Sequence, residues 1–132
     1  MIKFQELKPG DLVLAEFEGE RVEGVVKALN REEKEVCIET AVQEFWFTAE
    51  HLYAIPLTEP QLLTLGFVKH VNNDGSIKYM KDSFRLLIPQ DGDFTNFEIW
   101  WREDRRHISS PLFVHELQNH YYQMTKVELN PA

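Results

Sequence analysis

Short apolar runs broken by glycine and charge clusters fill the chain as far as Ile55. The texture changes at Ile55-Pro56-Leu57-Thr58-Glu59-Pro60. In the first stretch, Lys8-Pro9-Gly10-Asp11 is a turn signal, and Leu12 to Phe17 follows as a strand. Glu18-Gly19-Glu20 ends that strand, with Gly19 suited to the positive φ of a tight hairpin. Arg21 to Leu29 predicts a second strand, in which Gly24 suggests a bulge or sharp bend. After the charged turn Asn30 to Glu35, Val36 to Val42 and Glu44 to Phe47 predict two more strands. Thr48 to Leu52 fits one short helical turn, and Tyr53-Ala54-Ile55 closes the sheet. Short strands at this spacing avoid long flat edges most economically by curling into a small barrel.

Beyond the break, Thr58-Glu59-Pro60-Gln61 has the spacing of a capped helix start. The Thr hydroxyl and the Gln side chain would satisfy orphan backbone donors. Leu62, Leu63 and Leu65 supply the apolar face, and Gly66 is the expected left-handed cap. Phe67 to Val71 runs into the hairpin signal Asn72-Asn73-Asp74-Gly75-Ser76. Ile77 to Met80, Phe84 to Ile88 and Phe94 to Arg102 predict three further strands, with Arg105 and Arg106 in the turn after the last. Phe113, Val114, Leu117, Tyr121 and Met124 form one stripe at helical spacing, so a helix is predicted over Phe113 to Thr125. Ser109 or Ser110 would cap it, and Val127 to Leu129 would add an edge strand. The fold class expected is β-rich α+β: a small barrel over residues 1–56, then an α+β unit over 57–132 with antiparallel strands and two helices.

Two resemblances follow from these segments. Pro9-Gly10-Asp11-Leu12-Val13 and Val22-Glu23-Gly24-Val25-Val26, with the strand spacing, resemble the SH3-like barrels of Tudor, KOW and related modules. Leu62-Leu63-Thr64-Leu65-Gly66-Phe67, together with Ile55 to Glu59, resembles a family of short bacterial proteins, many borne by phage or mobile elements. Val114-His115-Glu116-Leu117-Gln118-Asn119, with Tyr121-Tyr122 and Thr125, carries the same resemblance. That family has no established activity, so the resemblance implies no site residues.

Charge and composition narrow the function classes. The 132 residues carry a formal net charge of -8, which repels a bare nucleic-acid backbone at long range. The imbalance is uneven: residues 1–56 hold 6 Lys/Arg against 12 Asp/Glu, a net -6, and residues 57–132 hold 8 against 10, a net -2. Cys37 is the single cysteine, so no internal disulfide forms, and a small buried apolar role is expected for it. No stretch has signal-peptide character or the ~18 apolar residues of a membrane span, so a cytoplasmic location with no membrane partner is expected.

Reactive motifs are absent. The histidines His51, His70, His107, His115 and His120 are scattered, and the pair at 115 and 120 lies five apart, off the four-residue zinc-protease spacing. Ser109-Ser110 has no nucleophile elbow around it, and no phosphate-binding glycine loop occurs. Asp91-Gly92-Asp93 reads as a surface turn. No catalytic, cofactor or metal residue is therefore expected.

Two aromatic positions remain as a candidate partner surface. Alternation puts Phe45 and Phe47 on one face and Trp46 on the other, either exposed or covered by the second unit; the acidic surroundings favour the covered reading. With Tyr53 nearby, an exposed aromatic set in an acidic rim would also suit a methyl-cation cage. In the strand ending at Arg102, Phe97, Ile99 and Trp101 share the core face, leaving Trp100 beside Arg102 on the other, either partly exposed or, with a helix covering both faces, plain core. Trp46, Trp100 and Arg102 are thus the candidate surface of a non-enzymatic accessory or adaptor protein that binds another protein. The alternative is a nucleic-acid-associated factor using the barrel's aromatic face.

Overall fold

The structure, a computed structural model, describes residues 2–131. Its contacts group into two compact units: residues 2–55 with Phe113–Asn119, and Pro56–Leu112 with residues 120–131. Each is built on one five-stranded antiparallel sheet.

In the first unit, β1 (Leu12–Phe17), β2 (Glu20–Asn30), β3 (Glu35–Glu39) and β4 (Glu44–Thr48) form a meander, and the short β5 (Leu52–Tyr53) returns to pair with β1. The order β4-β3-β2-β1-β5 leaves an open sheet, so the closed barrel expected from strand spacing is not formed. The reason lies in β5, which is two residues long and pairs with β1. The core face holds Val13, Ala15, Val26, Ile38, Phe47 and Leu52, all buried in one cluster. Gly24 is not the bulge; the register shift falls between Val26 and Ala28. A Cβ at Gly24 would overlap Ile38 Cγ2, so this glycine serves a close approach of strands.

The second unit starts with helix α1 (Glu59–Thr64). Thr58 makes no side-chain capping bond. Glu59, the first residue of the helix, accepts from Tyr79 Oη at 2.7 Å and pairs with Lys69 at 2.6 Å. The helix ends in a Schellman motif: Gly66 N–H donates to the Leu63 carbonyl and Phe67 N–H to that of Leu62, with Gly66 at φ 92°. Leu62 and Leu65 are buried but Leu63 is half-exposed, since a six-residue helix can turn only one narrow stripe inward. The sheet then runs as a meander through β6 (Val68–Val71), β7 (Ile77–Lys81), β8 (Phe84–Ile88), β9 (Phe97–Trp101) and β10 (Asp104–Ile108).

Strand β10 corrects the expectation of a solvated turn at Arg105 and Arg106. A two-residue connection, Arg102-Glu103, folds it back on β9, with Arg102 at φ 55°. A bulky residue in the left-handed region, and a charged edge strand, both run against local propensity.

Helix α2 (Val114–Thr125) begins later than the serines that were expected to cap it. Glu116 reaches back to accept the Phe113 N–H at 2.9 Å, half of a capping box. Val127 to Leu129 adds no strand. Within the first unit, Gln118 accepts the Leu12 N–H and donates to the Gly10 carbonyl, both at 2.8 Å, while Asn119 donates to the Glu6 carbonyl. Within the second, Phe84 meets Tyr121 at 4.7 Å between ring centroids, and Arg106 donates to Gln123.

Candidate interaction surfaces

Register in the second sheet sorts its residues onto two faces. Tyr79, Leu86, Ile99 and Arg106 lie in one cross-strand row, on the face that meets Glu59 of α1 and Gln123 of α2. The opposite face carries the row Met80, Arg85, Trp100 and Arg105, one residue from each of β7, β8, β9 and β10. Trp100 is therefore flanked by a guanidinium from each neighbouring strand. Arg105 Cζ lies 3.9 Å and Arg85 Cζ 5.0 Å from its ring centroid. Cation–π stacking of this kind holds three long side chains in one arrangement. Among the described residues, Trp100 Nε1–H and Arg85 Nε–H are both buried and have no protein acceptor. The next row along adds Lys78, Leu87, Glu98 and His107.

Arg102 is not on this face. It occupies the β9–β10 turn with its guanidinium 4.2 Å from the Trp101 ring centroid. The strand predicted to run through Arg102 stops at Trp101, because the chain must reverse there to form β10. The cation beside Trp100 is Arg105, with Arg85 on the far side, and neither was singled out by sequence. A clue existed in Trp100-Trp101 four to five residues before Arg105-Arg106, the spacing of a tight hairpin.

Trp46 belongs to the first unit and is 51% exposed, which overturns the expectation that it is covered. It stands opposite Cys37, with Glu35, Glu39 and Glu44 on the same side of β3 and β4. Phe45 and Phe47 point to the other side, into the core, as alternation implied. Tyr53 is already occupied: the Arg21 guanidinium lies 3.6 Å from its ring centroid. Burial, reinforced by the Glu44 charge, pushes the Cys37 thiol above its ordinary pKa, so it is held as the weakly nucleophilic thiol.

Among the described residues, no group of three or more His, Cys, Asp or Glu is placed to hold a metal ion. Among the same residues, no helix is long and apolar enough to cross a membrane. No family model matches the chain, and no curated protein or solved structure matches it either.

Proposed function

We propose that this protein is a non-enzymatic accessory or adaptor that binds a protein partner through the outer face of its second sheet. The observation that carries this reading is Trp100 stacked between Arg85 and Arg105 on the face away from α1 and α2. Trp and Arg are the residues most often found to dominate binding energy. Fixing their rotamers before association removes part of the entropy cost of docking.

Affinity capture from the host cell, with wild type beside Trp100→Ala and Arg105→Glu, tests this. A partner retained by wild type should be lost from both variants, with Trp100→Ala weakening it by roughly 2 kcal/mol, about thirtyfold. Circular dichroism melts establish that the variants fold. A partner held equally by all three proteins removes the reading.

A nucleic-acid-associated role is the second reading, favoured by Lys78, Arg85 and Arg105 sharing one face rather than by the acidic Trp46 face. It predicts oligonucleotide affinity that falls steeply with salt. Titration with single- and double-stranded oligonucleotides at low salt decides it.

A further inference from the structure

At the far end of the first sheet's core face, the protein leaves an apolar groove with an uncompensated acidic rim. Its two walls are turns set by local bonding. The β1–β2 turn is Glu18-Gly19, with φ 52° and 80°, a two-residue hairpin that fixes Phe17 opposite Glu20. The β3–β4 turn is gathered by Thr40, whose Oγ1 accepts from Val42 N–H and Gln43 N–H. Between them lies a cavity of about 560 Å³, lined by Phe17, Val22 and Val42 and by Glu18, Glu20 and Glu23. That volume falls in the ~300–1,000 Å³ range of ligand pockets.

The floor is aromatic and open. Phe17 is 42% exposed, although it stacks on Phe45 at 5.0 Å with 22° between the rings. Val22 is 40% and Val42 86% exposed. The three glutamates have no ion pair among the described residues, and the nearby cations are engaged elsewhere. Arg21 lies with Glu16 and over Tyr53, on the other side of the strand, where alternation also carries the Glu23 side chain, so the acidic groups on the groove side are Glu18 and Glu20; Lys27 pairs with Glu39.

We infer that this groove binds a basic segment of a partner protein by taking a Lys or Arg side chain across Phe17 into the glutamate rim. Such a side chain has the required division: an apolar stem to cover Phe17, Val22 and Val42, and a cationic head for the carboxylates. An apolar ligand would leave the acidic charge unanswered, and an acidic one would be repelled. The room available exceeds one side chain, which points to a peptide segment rather than a lone cation. This inference is independent of the Trp100 surface, which lies in the other unit.

The test is titration of the ¹⁵N-labelled full chain with a capped pentapeptide of sequence Gly-Lys-Leu-Arg-Gly. Its counterpart with norleucine at both basic positions, and spermidine, serve as controls. The basic peptide should shift Phe17, Glu20, Val22 and Val42 amides, and the norleucine peptide should not. Glu18→Lys with Glu20→Lys should weaken binding at least about tenfold. Val42→Lys, at an exposed turn position where folding is not at stake, should weaken it as well. Trp100→Ala should leave the titration unchanged, which separates failure here from failure of the partner surface. Equal response to the norleucine peptide overturns the inference. So do equal response to spermidine, shifts mapping elsewhere, unchanged affinity in the variants, or no shift at roughly millimolar peptide.

Discussion

A Cβ at Gly24 would overlap Ile38 Cγ2 and sit 3.1 Å from the Glu39 carbonyl oxygen. Ile38 is fully buried and its neighbours are core residues, so the contact cannot be relieved by a swinging side chain. Backbone conformation is not the constraint there, since Gly24 lies outside the positive-φ glycines. Gly24→Ala is accordingly expected to cost about 2–3 kcal/mol by forcing β2 and β3 apart. A urea titration measures this; a loss under about 0.5 kcal/mol would mean that the strands adjust freely. The sequence marked Gly24 as special but assigned it a bend, because a glycine in a strand has the same signature whether it bends the chain or admits a neighbour.

At the level of elements, the part of α2 that belongs to the first unit is tied to the start of β1 by side-chain-to-backbone hydrogen bonds. Gln118, fully buried, satisfies both the Leu12 N–H and the Gly10 carbonyl next to the start of β1. Gln118→Ala strands the buried Leu12 N–H and the partly buried Gly10 carbonyl and should cost about 2–3 kcal/mol. Glu116→Ala removes only the capping acceptor for Phe113 and should cost about 1 kcal/mol. Thermal melts of the two variants, compared directly, check the order; a reversal would mean that water replaces the Gln118 bonds. Elements with clean apolar periodicity were legible in the sequence: β1, β8 and α2 lie where alternation or helical spacing put them, α2 to within one residue. Strand β10 was not, since Asp104, Arg105 and Arg106 lack strand propensity and its existence rests on pairing with β9. The candidate surface failed at the same point. The placement of Trp46 and Trp100 on non-core faces follows from alternation within one strand; the exposure of Trp46 does not, since its acidic surroundings favoured a covered side chain. The Arg85–Trp100–Arg105 row follows from register between strands, which periodicity does not encode.

The whole molecule carries a net charge of -8, and its stability depends on where the carboxylates are buried. Asp11 is fully buried at the start of β1, accepting the Lys8 N–H at 3.0 Å with Lys8 Nζ 3.2 Å away. Burial pushes its carboxyl up to about 6, against the opposing pull of Lys8 and His115. A folded-state pKa above the unfolded value of 3.8 means that the folded protein binds the proton more tightly. The resulting stabilisation is full below the unfolded value, declines as pH rises towards the folded value, and is gone above it. Glu59, Asp74 and Asp93 act oppositely: hydrogen bonds from Lys69, Ser76 and Thr95 hold their carboxyls below the ordinary range. Their contribution is lost only when pH falls further, into the carboxylate range itself, so it stays flat between about pH 5 and about pH 7.5. In that window Asp11 alone of these four should make wild type more stable at the acid end, by about 1.4 kcal/mol. Asp11→Asn keeps the acceptor for Lys8 and removes the titration, so its stability should lack that component of the slope. Urea titrations of both proteins at the two pH values measure the difference. Parallel slopes would mean that water reaches the Asp11 carboxylate and that its charge is not truly buried.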